Sequence, residues 1–182
     1  MKKNTILTAA LLASCTLFST AAYAVVDISS APSAIVLTGN GSVAFGDKFK
    51  KNNKNAVFFD QFSFINAAVS NVSLIVTSTS TSAANGLNLT GLGLYNDHGL
   101  VAKGLQVQTG IDDIWTFSAS NLLVGSYYFK VSGDMVSSGG ATFAANGRIA
   151  AVPEPESYAM LLGGLALLGF MARRRTGVVK AV

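Results

Sequence analysis

Several residue types are scarce in this 182-residue chain, and each scarcity removes a class of function. There is one cysteine, Cys15, and it falls inside the first apolar run, so everything after it has neither a disulfide nor a thiol nucleophile. There is one histidine, His98, which excludes every two-histidine metal motif and leaves a single candidate base. It stands in Tyr95-Asn96-Asp97-His98-Gly99, a turn sequence, with no G-x-S-x-G elbow and no paired catalytic carboxylates beside it. The expectation is a protein that is not an enzyme and needs no cofactor. Charge is also sparse and badly spread. Lys2, Lys3, Arg173, Arg174, Arg175 and Lys180 are 6 of the 13 basic residues, and the other 7 face 9 acidic ones, or −2 between the two ends. The formal charge of +4 therefore belongs to the termini, and a nucleic-acid partner is excluded.

What is present at the N-terminus follows the order of a secretory signal. Lys2 and Lys3 precede an apolar stretch over 6–18, and Ala22-Tyr23-Ala24 offers the small-x-small cleavage site, so signal peptidase is expected to cut after Ala24. Leu12-Ala13-Ser14-Cys15 also resembles a lipoprotein acylation box, but the run stays apolar past Cys15, which favours simple cleavage. The stretch is too short for an uncleaved span, which needs about 20 apolar residues.

The opposite end reads Val152-Pro153-Glu154-Pro155-Glu156-Ser157, then fifteen uncharged residues over 158–172, then Arg173-Arg174-Arg175. Two prolines fix two φ angles and remove two backbone donors, so an extended, exposed segment is expected there. The uncharged residues are expected to form a single transmembrane helix. At 1.5 Å per residue it would be about 22 Å long, short of a bilayer core of about 30 Å. The arginines would stay in the cytoplasm, with everything before the prolines outside. Proline-glutamate-proline, apolar run and arginine cluster in this order resemble the PEP-CTERM sorting tail of Gram-negative bacteria. The resemblance implies an exosortase, a polytopic inner-membrane cysteine protease or transpeptidase, as partner. It also implies cleavage near Pro153-Glu154-Pro155, a transient hold on the inner membrane, and a final place at the cell surface or outside the cell.

Between the ends, roughly 125 residues are rich in Ser, Thr, Asn and Gly, and apolar residues alternate in short runs. Period two with frequent turn residues predicts an all-β fold, an antiparallel, jelly-roll-like β-sandwich over 25–151, flanked by a signal peptide over 1–24 and a sorting tail over 152–182. Strands are expected near 34–38, 42–45, 57–65, 72–79, 87–95, 104–109, 114–118, 127–132 and 141–145. Within them Phe58-Phe59-Asp60-Gln61-Phe62 is an F-x-D-x-F sequence, supported by Asp113-Ile114-Trp115-Thr116-Phe117 and by residues 122–133. On these motifs the chain resembles a small PEP-CTERM family named for F-x-D-x-F, which implies a β-rich extracellular protein.

On a strand Phe58, Asp60, Phe62 and Phe64 share one face, which puts a carboxylate among phenylalanines. Burial of an unpartnered carboxylate is costly, so Asp60 is expected to accept hydrogen bonds and pin the chain locally, with a metal or ligand role as the alternative. Asp97, Asp112 and Asp113 fall in predicted turns and are candidate calcium ligands, though no D-x-D-x-D-G loop contains them. Thr77, Thr79 and Thr81 form one short row, and the basic stretch from Lys48 to Lys54 is a solvated loop or a contact for anionic polysaccharide. The reading is a non-enzymatic surface or matrix protein, with exopolysaccharide and biofilm as its setting. The alternative is a glycan- or calcium-binding extracellular module.

Overall fold

The computed structural model describes residues 25–37, 41–153 and 155–176. The signal peptide expected over 1–24, with Ala22, Ala24 and Cys15, lies outside the described residues, as do Glu154 and the side chains of Pro155 and Arg175. Ten strands and one helix follow in order: β1 (Ser33–Ala34), β2 (Ser42–Phe49), β3 (Val57–Asn66), β4 (Ser70–Thr79), β5 (Leu87–Asn96), β6 (Gly99–Lys103), β7 (Leu105–Gln108), β8 (Asp112–Leu122), β9 (Gly125–Met135), β10 (Ala141–Ala151) and α1 (Pro155–Thr176).

They make two five-stranded sheets, in the orders β1-β3-β9-β5-β6 and β2-β10-β4-β8-β7. Every pairing is antiparallel except β1 against β3, which is parallel. Set β1 and β7 aside, and the two four-strand sheets have the strand order of a jelly roll, in which successive strands cross from one sheet to the other except at β5 and β6, which are neighbours in one sheet.

The alternation in the sequence becomes the inside and outside of this sandwich. Along β3, Phe58, Asp60, Phe62, Phe64 and Asn66 are buried while Phe59, Ser63 and Ile65 are exposed. Along β4 and β9 the buried sets are Val72, Leu74, Val76 and Phe129, Val131, Met135. Aromatic rings bridge the two layers. Phe49 of β2 lies 4.4 Å from Phe58, and Phe58 stacks on Phe143 of β10 at 5.6 Å and 8°. Phe45 stacks on Phe62 at 4.4 Å, and Phe117 meets Phe129 edge-on at 5.4 Å. Offset and edge-on pairs at these separations add to the area buried, so the core needs no disulfide.

Three expectations change. The strand expected over 34–38 is a two-residue pairing, Ser33–Ala34. β6 was not expected at all, because Gly99-Leu100-Val101-Ala102-Lys103 follows so closely on β5 that it looks like loop; a two-residue turn at Asp97 and His98 folds it back as a hairpin. β10 continues six residues past 145, since pairing on both sides, with β2 and β4, carries its polar residues through.

The tail also differs. α1 starts at Pro155 and ends at Thr176, so the part of the expected extended segment from Pro155 onward is helical, and Val152 and Pro153 are its described residues outside the helix. Proline is pre-set for the first helical position, Glu156 lies in the first turn and Arg173 and Arg174 in the last, each complementing the helix dipole. Among the described residues no helix is long and apolar enough to cross a membrane, which corrects the single transmembrane helix expected over 158–172. The helix itself is there. Its uncharged part between Glu156 and Arg173, however, is only sixteen residues, and the turns at either end carry glutamate or arginine.

Candidate functional site

Three places hold the chemistry of the chain. The first is the buried carboxylate of β3. Asp60 is 1% exposed, and the segment before β1 folds over it. Val57 N–H donates to Val26 C=O and Ile28 N–H to Val57 C=O, both at 2.9 Å, which lays this strap along the edge of β3. Ser30 N–H then donates to Asp60 Oδ1 at 2.8 Å, and Phe59 N–H donates to Ser29 Oγ at 2.7 Å. Ser30 Oγ donates to Asp47 Oδ2. As an ionised atom, Asp60 Oδ2 has no partner. Burial above all, helped by the Asp47 and Asp27 charges, pushes the carboxyl up to about 6 against the lowering effect of the Ser30 hydrogen bond. A proton on Asp60 also gains the Asp47 carboxylate as acceptor. The hydrogen bond that Asp60 accepts thus comes from backbone, that of the strap. No group of three ligating side chains that could hold a metal occurs among the described residues.

A pH dependence follows. The folded pKa lies above the unfolded value of 3.8, so the stabilising form is the neutral acid. Its contribution is complete below pH 3.8 and is lost as pH rises through about 6. The whole window is worth at most about 3 kcal/mol, and less to the degree that water reaches the carboxyl; between pH 5 and pH 8 it is about 1 kcal/mol. Asp27 is held low by its hydrogen bonds to Ser29, so its contribution is lost only at lower pH, outside this window. We expect the thermal midpoint to fall by a few degrees from pH 5 to pH 8, and Asp60→Asn, which mimics the neutral acid, to flatten that slope. Calorimetric scans of both proteins across this range check it, and an equal slope in the variant refutes the assignment.

The calcium candidates are not brought together. Asp97 is exposed in the β5–β6 turn, where His98 N–H donates to Asn96 Oδ1 at 2.9 Å. Asp113 is buried at the other end of β5, about 25 Å away along the strand. Its two oxygens are taken by backbone: Leu89 N–H donates to Oδ2 at 3.0 Å and Gly110 N–H to Oδ1 at 3.1 Å. Asp112, next to it, is half-buried.

The third place went unnoticed in the sequence. On the outer face of the β3-β9-β5-β6 sheet a groove of about 390 Å³ is bounded by Phe59, Tyr95, Trp115, Lys103 and Lys130. Register explains it. Phe59, Ser132 and Gly91 stand in one row across β3, β9 and β5, and Gln61, Lys130, Gly93 and Lys103 stand in the next. The two glycines leave the floor open. A Cβ at Gly91 would sit 2.5 Å from Ser132 Oγ, and one at Gly93 would sit 2.9 Å from Tyr95 Cε2. Lys130 Nζ lies 5.2 Å from the Phe59 ring centre and 6.0 Å from that of Tyr95, and Tyr95 is stacked on Tyr128 at 5.3 Å. Trp115 is fixed from the other sheet by its Nε1–H, which donates to Leu89 C=O at 3.1 Å. The signal available beforehand was the alternation of Phe59 and Lys130 outward on their strands, but pairing β3 with β9 and β9 with β5 is needed to make them neighbours.

The tail presents a different surface. Tyr158, Met160, Leu161, Leu162, Leu165, Leu167, Leu168, Phe170 and Met171 of α1 are all more than half exposed, and they point to every side of the helix. Every α1 side chain described is exposed, so the helix packs on no part of the sandwich. A helix apolar all round belongs in an apolar surrounding that no other described part of the chain supplies.

Fold and tail together define a β-sandwich carrying a separate C-terminal sorting element. Residues 151–175 match the PEP-CTERM protein-sorting motif, and the motif implies an exported protein that an exosortase sorts, by way of the membrane, to the surface. Val152, Pro153, Glu154, Pro155, Arg173, Arg174 and Arg175 all fall within the match. No curated protein matches the chain. Among solved structures it is similar to the pre-peptidase C-terminal domain of a collagenase from Bacillus anthracis, at 14% identity over 68% of this chain and 95% of that one, with a TM-score of 0.34. It is also similar to PliG of Aeromonas hydrophila, a periplasmic inhibitor of g-type lysozyme, at 10% identity over 68% and 98%, with a TM-score of 0.41.

Proposed function

We propose that this is a non-enzymatic surface or matrix protein of the F-x-D-x-F kind. In this reading it is exported by the general secretory route, cut by an exosortase at Pro153-Glu154-Pro155, and left among the exopolysaccharide of a biofilm. One observation carries the proposal: an all-round apolar helix whose described side chains are all exposed and pack on no part of the described sandwich, joined to it after Pro153 and closed by arginines. Such a helix is dispensable to the fold and falls short of a span. It therefore suits a temporary hold at the membrane, with the arginines on the cytoplasmic side. The last backbone link beyond the β10 ladders, Val152 N–H to Val69 C=O at 2.8 Å, lies just before the prolines, so cleavage after it leaves the sandwich whole.

The test is the intact mass of the protein from membranes and from medium. The wild type is expected to lose α1 and appear outside the inner membrane. Pro153→Ala with Pro155→Ala, or deletion of the exosortase, is expected to retain the full tail in the membrane fraction. Unchanged mass and location in the exosortase deletion would sink the proposal. The alternative of a glycan-binding module is supported by the aromatic and lysine groove on the outer sheet face.

A further inference from the structure

We propose that the groove between Phe59 and Trp115 is a binding site for an acidic saccharide, a chain bearing uronic-acid carboxylates. Lys103 and Lys130 take the charge, and Phe59, Tyr95 and Trp115 take the apolar faces of the sugar rings. The inference rests on the surface-protein reading only for where the ligand is met.

Charge is the first argument. The sandwich over 25–151 carries seven basic and seven acidic residues, so its bulk charge attracts nothing in particular. The groove nevertheless has two lysines and no carboxylate in its lining. They stand on either side of Gly93, on β9 and β6, two strand spacings or about 10 Å apart. The nearest acid on the same face of β9, Asp134, accepts from Asn88 Nδ2 at 3.2 Å and lies outside the lining. Two separated cations with an open floor between them fit an anion whose charges are spaced along a chain.

Ring chemistry is the second argument. Phe59 is 43% exposed on a strand whose other phenylalanines are buried, so its ring is available to the groove. Aromatic faces bind the C–H surfaces of a saccharide ring, while its hydroxyls need polar partners; Thr90, Ser132 and the Tyr95 hydroxyl line the same groove, and no hydrogen bond within the described residues occupies them. A mixed apolar and polar cleft of this volume lies within the range that small ligands use. Lys130 is held over two of the rings before any ligand arrives, which lowers the entropy cost of presenting it. Trp115 is fixed by Leu89, so the far wall is rigid as well.

Trp115 is the single tryptophan of the chain, so its emission reads occupancy directly. The experiment titrates the full chain in detergent micelles with oligogalacturonate, alginate and hyaluronan oligosaccharides, following fluorescence and heat. At least one is expected to bind saturably with a change in Trp115 emission, and its methyl ester at least tenfold more weakly. Lys103→Met, Lys130→Met and Phe59→Ala are each expected to weaken binding at least tenfold with the thermal midpoint unchanged within a few degrees, while Lys51→Met in an exposed loop leaves it intact. Absence of binding by all three acids, equal binding of the methyl ester, or equal loss in Lys51→Met overturns the proposal. Processing and binding of the wild-type protein separate the two readings: normal exosortase processing with no binding of any of the three acids removes the groove alone, and binding without processing removes the sorting reading alone.

Discussion

Phe58→Ala is expected to destabilise the sandwich by about 4 kcal/mol, within the 3–5 kcal/mol range of large-to-small changes at fully buried aromatic sites. Phe58 has no exposed surface, and it touches the opposite sheet through two rings, Phe49 at 4.4 Å and Phe143 at 5.6 Å. Beneath it, β9 carries Gly133, where a Cβ would lie 2.5 Å from Phe58 Cζ. The ring thus fills space that glycine has left for it. Collapse into the void is blocked on one side by the β9 backbone, which is why the upper part of the range is appropriate. The thermal midpoint should drop by about 10–20 °C. Phe59→Ala, one residue along and facing out, should change stability by less than about 1 kcal/mol. Urea titrations of the two variants check the contrast, and equal losses would mean that the register of β3 is wrong.

Asp113→Ala is expected to cost about 3 kcal/mol, although it removes no apolar surface of consequence. The reason lies in β5. Its pairing with β6 covers only Gly93 to Asn96, so the other edge of β5 at Leu89 has no strand beside it. Side chains from β8 in the other sheet take the place of a strand: Asp113 accepts from Leu89 N–H and Trp115 donates to Leu89 C=O. Asp113 accepts from Gly110 N–H as well. Removing the carboxylate leaves the buried Leu89 N–H unpaired at about 1–3 kcal/mol and the half-buried Gly110 N–H as well, the latter offset in part by water. Asp113→Asn should recover only part of the loss, because an amide offers one acceptor where two are used. Millimolar calcium should not shift the wild-type denaturation midpoint; a calcium-dependent gain in stability that Asp113→Ala abolishes would restore the calcium reading.

Much of this architecture could be read from residues alone. The two-residue period of Phe58, Asp60, Phe62 and Phe64 sets which side chains turn inward, because a strand has only two faces and water selects between them. Seven of the nine expected strands lie wholly within observed ones and most of an eighth, over 104–109, falls in β7, and turn residues such as Asn85-Gly86 and Asn96-Asp97 mark where the chain reverses. β6 escaped because its residues are exposed or half-buried and carry no alternation, so only its backbone pairing with β5 makes it a strand. The groove escaped for a related reason. Its walls come from Phe59, Tyr95, Lys103, Trp115 and Lys130, on five strands, and no spacing in the chain links them.

The sorting tail and the in-or-out choice along each strand were determined by sequence itself, since both depend on neighbouring residues: prolines that restrict φ, an uncharged run of fixed length, arginines that close it, and alternation along a pleat. Which strands lie side by side was decided only in three dimensions. Backbone ladders are chemically alike everywhere, so the pairing of β3 with β9, whose paired residues begin at Val57 and Asp134, is chosen by the packing of the whole core. From that pairing come the burial of Asp60 beneath the Ser30 strap, the grip of Asp113 and Trp115 on Leu89, and the two lysines facing each other across Gly93.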